Sequence, residues 1–145
     1  MNPKKFFHTI SYLQYPLMLV ALYFVIQPYL GGIDSAFDDF GKVLQGINKT
    51  FIFMGLGISF STLQDTTKTQ NEFSRKVWED PKKSRRFLIM LSISILIILS
   101  FGVFAYFSSS DSAIKEVSFG AIVLGIGMVG MLKSAIEMAD YHGKR

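Results

Sequence analysis

The stretch Phe87–Phe107, FLIMLSISILIILSFGVFAYF, decides the reading of this chain. It is 21 residues long and holds no Asp, Glu, Lys or Arg. A helix needs about 20 apolar residues to cross the hydrocarbon of a bilayer. Three further runs carry almost no charge: Phe6–Leu30 has none, and Val43–Leu63 and Val117–Ile136 have one lysine each, Lys49 and Lys133. The segment on either side of Phe87–Phe107 fixes its direction. Lys82, Lys83, Arg85 and Arg86 precede it, and Ser108–Ser110 and Asp111 follow it.

That asymmetry extends to the whole chain. Lys4 and Lys5 precede the first run, and Lys68, Arg75 and Lys76 join the cluster at 82–86 in the central connection. Lys133, Lys144 and Arg145 close the chain. The other two connections carry Asp34, Asp38, Asp39, Asp111 and Glu116 against Lys42 and Lys115. Basic residues collect on the cytoplasmic side of membrane helices, so the pattern predicts both termini and the 64–86 connection in the cytoplasm. The expected fold is an all-α integral membrane domain over 1–145, a four-helix transmembrane bundle with spans at about 6–30, 43–63, 87–107 and 117–136. The short connections and absent cysteines suggest a prokaryotic cytoplasmic (inner) membrane. Lys4–Lys5 before an apolar run resembles a signal peptide, but the run is long and no A-x-A site follows, so it reads as an uncleaved span.

Local signals refine the boundaries. Pro16 should kink the first span. Asp80–Pro81 reads as an N-cap followed by proline in the first helical turn, and Asp111 as the N-cap of the fourth helix. Ile33–Lys49 is either a short interfacial helix or the outer turns of the second span. The second helix is expected to run on past Gln64, with Phe73, Val77 and Trp78 gathered on one side of a polar continuation.

The two halves resemble each other. Asp34-Ser35-Ala36 matches Asp111-Ser112-Ala113, Met54–Ile58 matches Leu124–Met128, and Lys4–Phe7 matches Arg85–Leu88. The order predicts two similar helical hairpins, a parallel repeat, with gaps because the offsets differ.

The second and fourth runs are rich in small residues at helical spacing. Gly55 with Ser59, Gly57 with Ser61, Ala121 with Gly125 and Gly130 with Ser134 each lie four apart, and Gly127 falls between. Such residues let two helix backbones approach closely, which drives association where lipid removes the hydrophobic driving force. They are candidates for helix packing, for an oligomer seam or for lining a pore, the last joined by Gln14, Asn48 and Thr50. Lys133 and Glu137, four apart, are expected to pair at the cytoplasmic end. Lys82, Lys83, Arg85 and Arg86 set topology and suit anionic lipid.

Chemistry is sparse. The chain has no cysteine, which removes disulfides, thiolate metal sites and a Cys nucleophile. His8 and His142 have no companions spaced for metal, and no P-loop or nucleophile elbow appears. No catalytic, cofactor-binding or metal residue is therefore expected, and no cofactor. The basic residues are needed at the membrane, so no nucleic acid partner is expected either. The function expected is non-enzymatic: an accessory or scaffold subunit of a membrane complex, or a self-assembling bundle. The alternative is a small oligomeric channel or transporter for ions or small solutes. Partners are the lipid bilayer and either further copies of the chain or another membrane protein.

Overall fold

The computed structural model describes residues 3–32, 39–64 and 76–142, and among these every regular element is helical. They are α1 (Pro3–Ser11), α2 (Gln14–Ile26) with a 3-10 turn over Gln27–Tyr29, α3 (Phe40–Ser61), α4 (Pro81–Ser108) and α5 (Ser112–His142). Four helical stretches are long and apolar enough to cross a membrane: Lys5–Tyr29, which joins α1 to α2, and α3, α4 and α5.

Proline and acidic residues set the boundaries. Pro16 has no N–H for the Tyr12 carbonyl, and the break between α1 and α2 falls a turn before it. There the Tyr12, Leu13 and Tyr15 amides bond three residues back, to Thr9, Ile10 and Tyr12. Asp39 starts α3, accepting from the Lys42 amide at 3.3 Å. Asp80 starts α4, accepting from the Lys82 and Lys83 amides at 2.9 and 3.3 Å, with Pro81 as the first helical residue. Asp111 starts α5 by accepting from the Ala113 and Ile114 amides at 2.8 and 3.3 Å. Each carboxylate satisfies orphan donors and sits at the positive end of a helix dipole.

Two expectations about α3 are resolved. Phe40–Lys49 belongs to the long helix rather than to a separate interfacial one, while residues 33–38 lie outside the described residues. At the other end α3 stops at Ser61 instead of running past Gln64. Hydroxyls compete for its last carbonyls: Ser61 Oγ donates to Ile58 and Thr62 Oγ1 to Ser59. The Leu63 and Gln64 amides then bond three residues back and close the helix in a tight turn. The expected continuation through Phe73 lies outside the described residues, but Val77 and Trp78 are seen packed against α4 and α5.

The bundle takes the form of an open row in the order α2, α3, α5, α4. Each helix packs on its neighbour, and among the described residues α2 and α4 do not close on each other. The two end helices therefore expose most of their circumference. On α4 the stripe Leu91, Ile95 and Gly102 is buried, whereas Ile93, Leu96, Ile97 and Phe104 are exposed. An exposed apolar surface on that scale does not suit water.

Candidate functional site

The centre of the row is the contact between α3 and α5, and its geometry is regular. Gly120 meets Asn48, Gly127 meets Gly55, and Ser134 Oγ donates to the Thr62 carbonyl at 3.4 Å. Asn48, Gly55 and Thr62 are seven apart on α3; Gly120, Gly127 and Ser134 are seven apart on α5. Both sets ascend together, so the two helices run parallel and in register, with a partner always 72 residues on. A seven-residue seam between parallel helices is the pattern of a left-handed supercoil.

The seam is closed by backbone. A Cβ on Gly55 would lie 2.7 Å from the Val123 carbonyl oxygen, and a Cβ on Gly127 would strike the Gly55 carbonyl. At Gly120 the Asn48 Oδ1 would be 2.6 Å from an added Cβ, and that oxygen is buried without a hydrogen-bond partner among the described residues. Small residues here allow dispersion and Cα–H···O contacts between main chains.

The outer interfaces use the remaining small residues. Gly57 faces Met18 of α2, and Gly125 faces Leu99 of α4. Thr50, buried, donates to Gly46 in its own helix at 2.8 Å and to Ala21 of α2 at 3.3 Å. Gly46 meets Pro28 and the Phe24 carbonyl, the one that Pro28 has no N–H to serve. Phe24 also stacks on Phe53 and underlies Lys49, whose Nζ sits 5.0 Å from its ring centre. Lys49 is exposed, with Lys42, Gln45, Gly46 and Gln27 around an open cavity of about 370 Å3.

The other candidates from the sequence are distributed as follows. Ser59 Oγ donates back to Gly55, and Ser61 Oγ to Ile58, so both hydroxyls are used within α3. Gly130 faces Thr62, whose Cγ2 would lie a tight 3.3 Å from an added Cβ. Ala121 is buried in α5. Lys133 and Glu137 form an exposed ion pair at 3.1 Å. Lys82, Lys83, Arg85 and Arg86 are exposed along the first turns of α4, with Lys83 bonded to Asp80 at 3.4 Å. The backbone N–H of Lys83, first among several contacts, holds the Asp80 carboxyl below the usual carboxylate range. Asp39 is likewise lowered, chiefly by the Lys42 side chain.

Three participants escape a search for small residues four apart. Gly120, Asn48 and Thr62 complete the seam, and only the seven-residue spacing links them to Gly55, Gly127 and Ser134. The repeat by sequence match sets Gly55 level with Gly125, and the glycine packed against Gly55 in the seam is Gly127. At the basic end, Trp78 fills the gap between α4 and α5. It meets Phe87 edge to face at 5.5 Å and joins Leu91, Ile95 and Ala135 in the core. Among the described residues no three His, Asp or Glu side chains gather as metal ligands.

Comparison with protein-family models, with curated protein sequences and with solved structures yields no match.

Proposed function

We propose that the chain is an integral membrane protein whose four long helices cross the inner membrane of a prokaryote, with both termini and the 64–86 connection in the cytoplasm. We propose further that it is a non-enzymatic accessory or scaffold subunit, packing against another membrane protein or against copies of itself. One observation carries the reading: the open row. A layer one helix thick leaves two broad apolar faces for lipid and two uncovered edges, α2 and α4, against which a neighbouring subunit can pack. Polar groups cluster at the helix ends, and the basic residues before α4 lie on the side that the positive-inside rule assigns to the cytoplasm. The arrangement of hairpins α2–α3 and α4–α5 about a parallel seam supports two similar halves, with a pseudo-two-fold axis along the membrane normal.

The channel reading needs several copies. Gly55, Gly57, Gly125 and Gly127, expected among the pore-lining candidates, each face backbone or side chains of a neighbouring helix, which favours a packing role for them. Gentle-detergent purification at native expression level, followed by native mass spectrometry, tests the proposal. A second membrane protein at fixed stoichiometry, or a defined homo-oligomer without ion flux in reconstituted vesicles, is the expected result. A homo-oligomer that conducts would replace it by the channel, and a lone monomer would overturn both.

A further inference from the structure

The basic end of the row holds a cleft of about 290 Å3 between the first turns of α4 and the last turns of α5. It is lined by Trp78, by Ser84, Arg85 and Leu88 of α4, and by Ala139 and Asp140 of α5, so that Arg85 and Asp140 come from opposite helices. Both charged groups are exposed, and among the described residues neither has a hydrogen bond or ion pair through its side chain. We propose that this cleft seats the headgroup of a phospholipid bearing a primary amine, with the phosphate on Arg85 and the ammonium on Asp140. The inference rests on the membrane reading above, which puts the cleft at headgroup depth on the cytoplasmic face.

Charge complementarity selects this occupant. A guanidinium presents a planar fork to phosphate oxygens. A carboxylate across the cleft opposes a second negative group, so a purely anionic headgroup satisfies Arg85 and is repelled by Asp140. A phosphate with a positive group a few bonds away satisfies both. A primary ammonium has three N–H donors for the carboxylate, whereas a trimethylated one has none. The neighbouring Lys82, Lys83 and Arg86 attract anionic lipid to the surface at large, but they do not line the cleft. Leu88 gives the cleft an apolar side chain, and the next residues of α4, Ile89 and Met90, are exposed, so an acyl chain would lie along them.

The chain provides its own reporter, because Trp78 is its one tryptophan. The test uses the full chain in phosphatidylcholine vesicles, with guest lipids brominated near the headgroup. Brominated phosphatidylethanolamine should quench Trp78 with about threefold higher apparent affinity than brominated phosphatidylcholine, the scale of one exposed charge contact. Asp140→Asn should erase that preference, Arg85→Gln should weaken both lipids, and Lys83→Gln, bonded to Asp80 and outside the cleft, should change neither. Equal quenching by the two lipids overturns the proposal. So does a preference for phosphatidylglycerol that Asp140→Asn leaves intact, or displacement of the lipid by millimolar free phosphoethanolamine, which would mark a soluble ligand. If no lipid quenches Trp78 and alkaline carbonate strips the chain from vesicles, the membrane reading itself has failed.

Discussion

Two interfaces in this molecule hold helices together by opposite means. Along the α3–α5 seam, glycines let main chain meet main chain, with side chains such as Asn48, Phe51, Thr62 and Ser134 beside them. At the basic end of the α4–α5 contact, Trp78, Leu91 and Ile95 interlock with Phe87, Met131 and Leu132. The first interface depends on atoms being absent, the second on volume being filled. In the bilayer proposed above neither would gain much from excluding water, so both would rest on dispersion, one through close approach and the other through interdigitation. They should therefore fail under opposite substitutions.

The largest effect is expected at Gly127→Leu, which drives a side chain into the Gly55 carbonyl. Backbone cannot rotate away, so the loss should reach the upper end of the overpacking range, about 3 kcal/mol or more. Unfolding by SDS in mixed micelles would register it, and a midpoint like that of the unaltered chain would refute the seam. Trp78→Ala should follow, at about 3 kcal/mol, whereas Trp78→Phe should cost less than about 1.5 kcal/mol because it keeps most of the volume. Similar losses for the two would mean that the α4–α5 interface is not packed by volume at this point.

Thr50→Val should be milder, about 1 kcal/mol, since it keeps the shape and removes one hydroxyl that bonds both Gly46 and Ala21. Gly57→Ala should be milder still, below about 1 kcal/mol, although it changes a glycine in the same helix as Gly55. Its neighbour is the flexible Met18 side chain at 3.3 Å, which can give way. A loss at Gly57→Ala equal to that at Gly55→Ala would erase the distinction between the seam and the outer interfaces.

The smallest effect concerns acid. The Asp80 carboxyl is lowered by the Lys83 and Lys82 amides, so its contribution to the start of α4 is present above the ordinary carboxylate range. It should fade as pH falls through the lowered value. Amide exchange in the first turn of α4 should quicken there, and Asp80→Asn should remove that pH dependence.

The four long apolar stretches, their helical type and several starts were legible because the signals are local. Apolar length marked the four stretches, and Asp80–Pro81 and Asp111 marked two starts. The end of α3 was not legible, since polarity beyond Gln64 resembles a solvated helix. The hydroxyls of Ser61 and Thr62 that turn the chain read as ordinary small residues. The partner of each glycine was hidden as well: spacing of four marks a close-packing face but not what lies against it. The spacing of seven shared by Asn48, Gly55 and Thr62 with Gly120, Gly127 and Ser134 holds that information, and it emerges only when the two helices are read together. The cleft at Arg85 and Asp140 joins residues 55 apart and leaves no local trace.

The central claim is that α3 and α5 run parallel and in register at the middle of an open row within a membrane. The chain has no native cysteine, so paired cysteines report proximity without background. Thr62→Cys with Ser134→Cys, oxidised in native membranes, should form an intramolecular disulfide, while Leu22→Cys with Phe101→Cys, on α2 and α4, should not. An α2–α4 disulfide within one chain, or none between positions 62 and 134, would contradict the account.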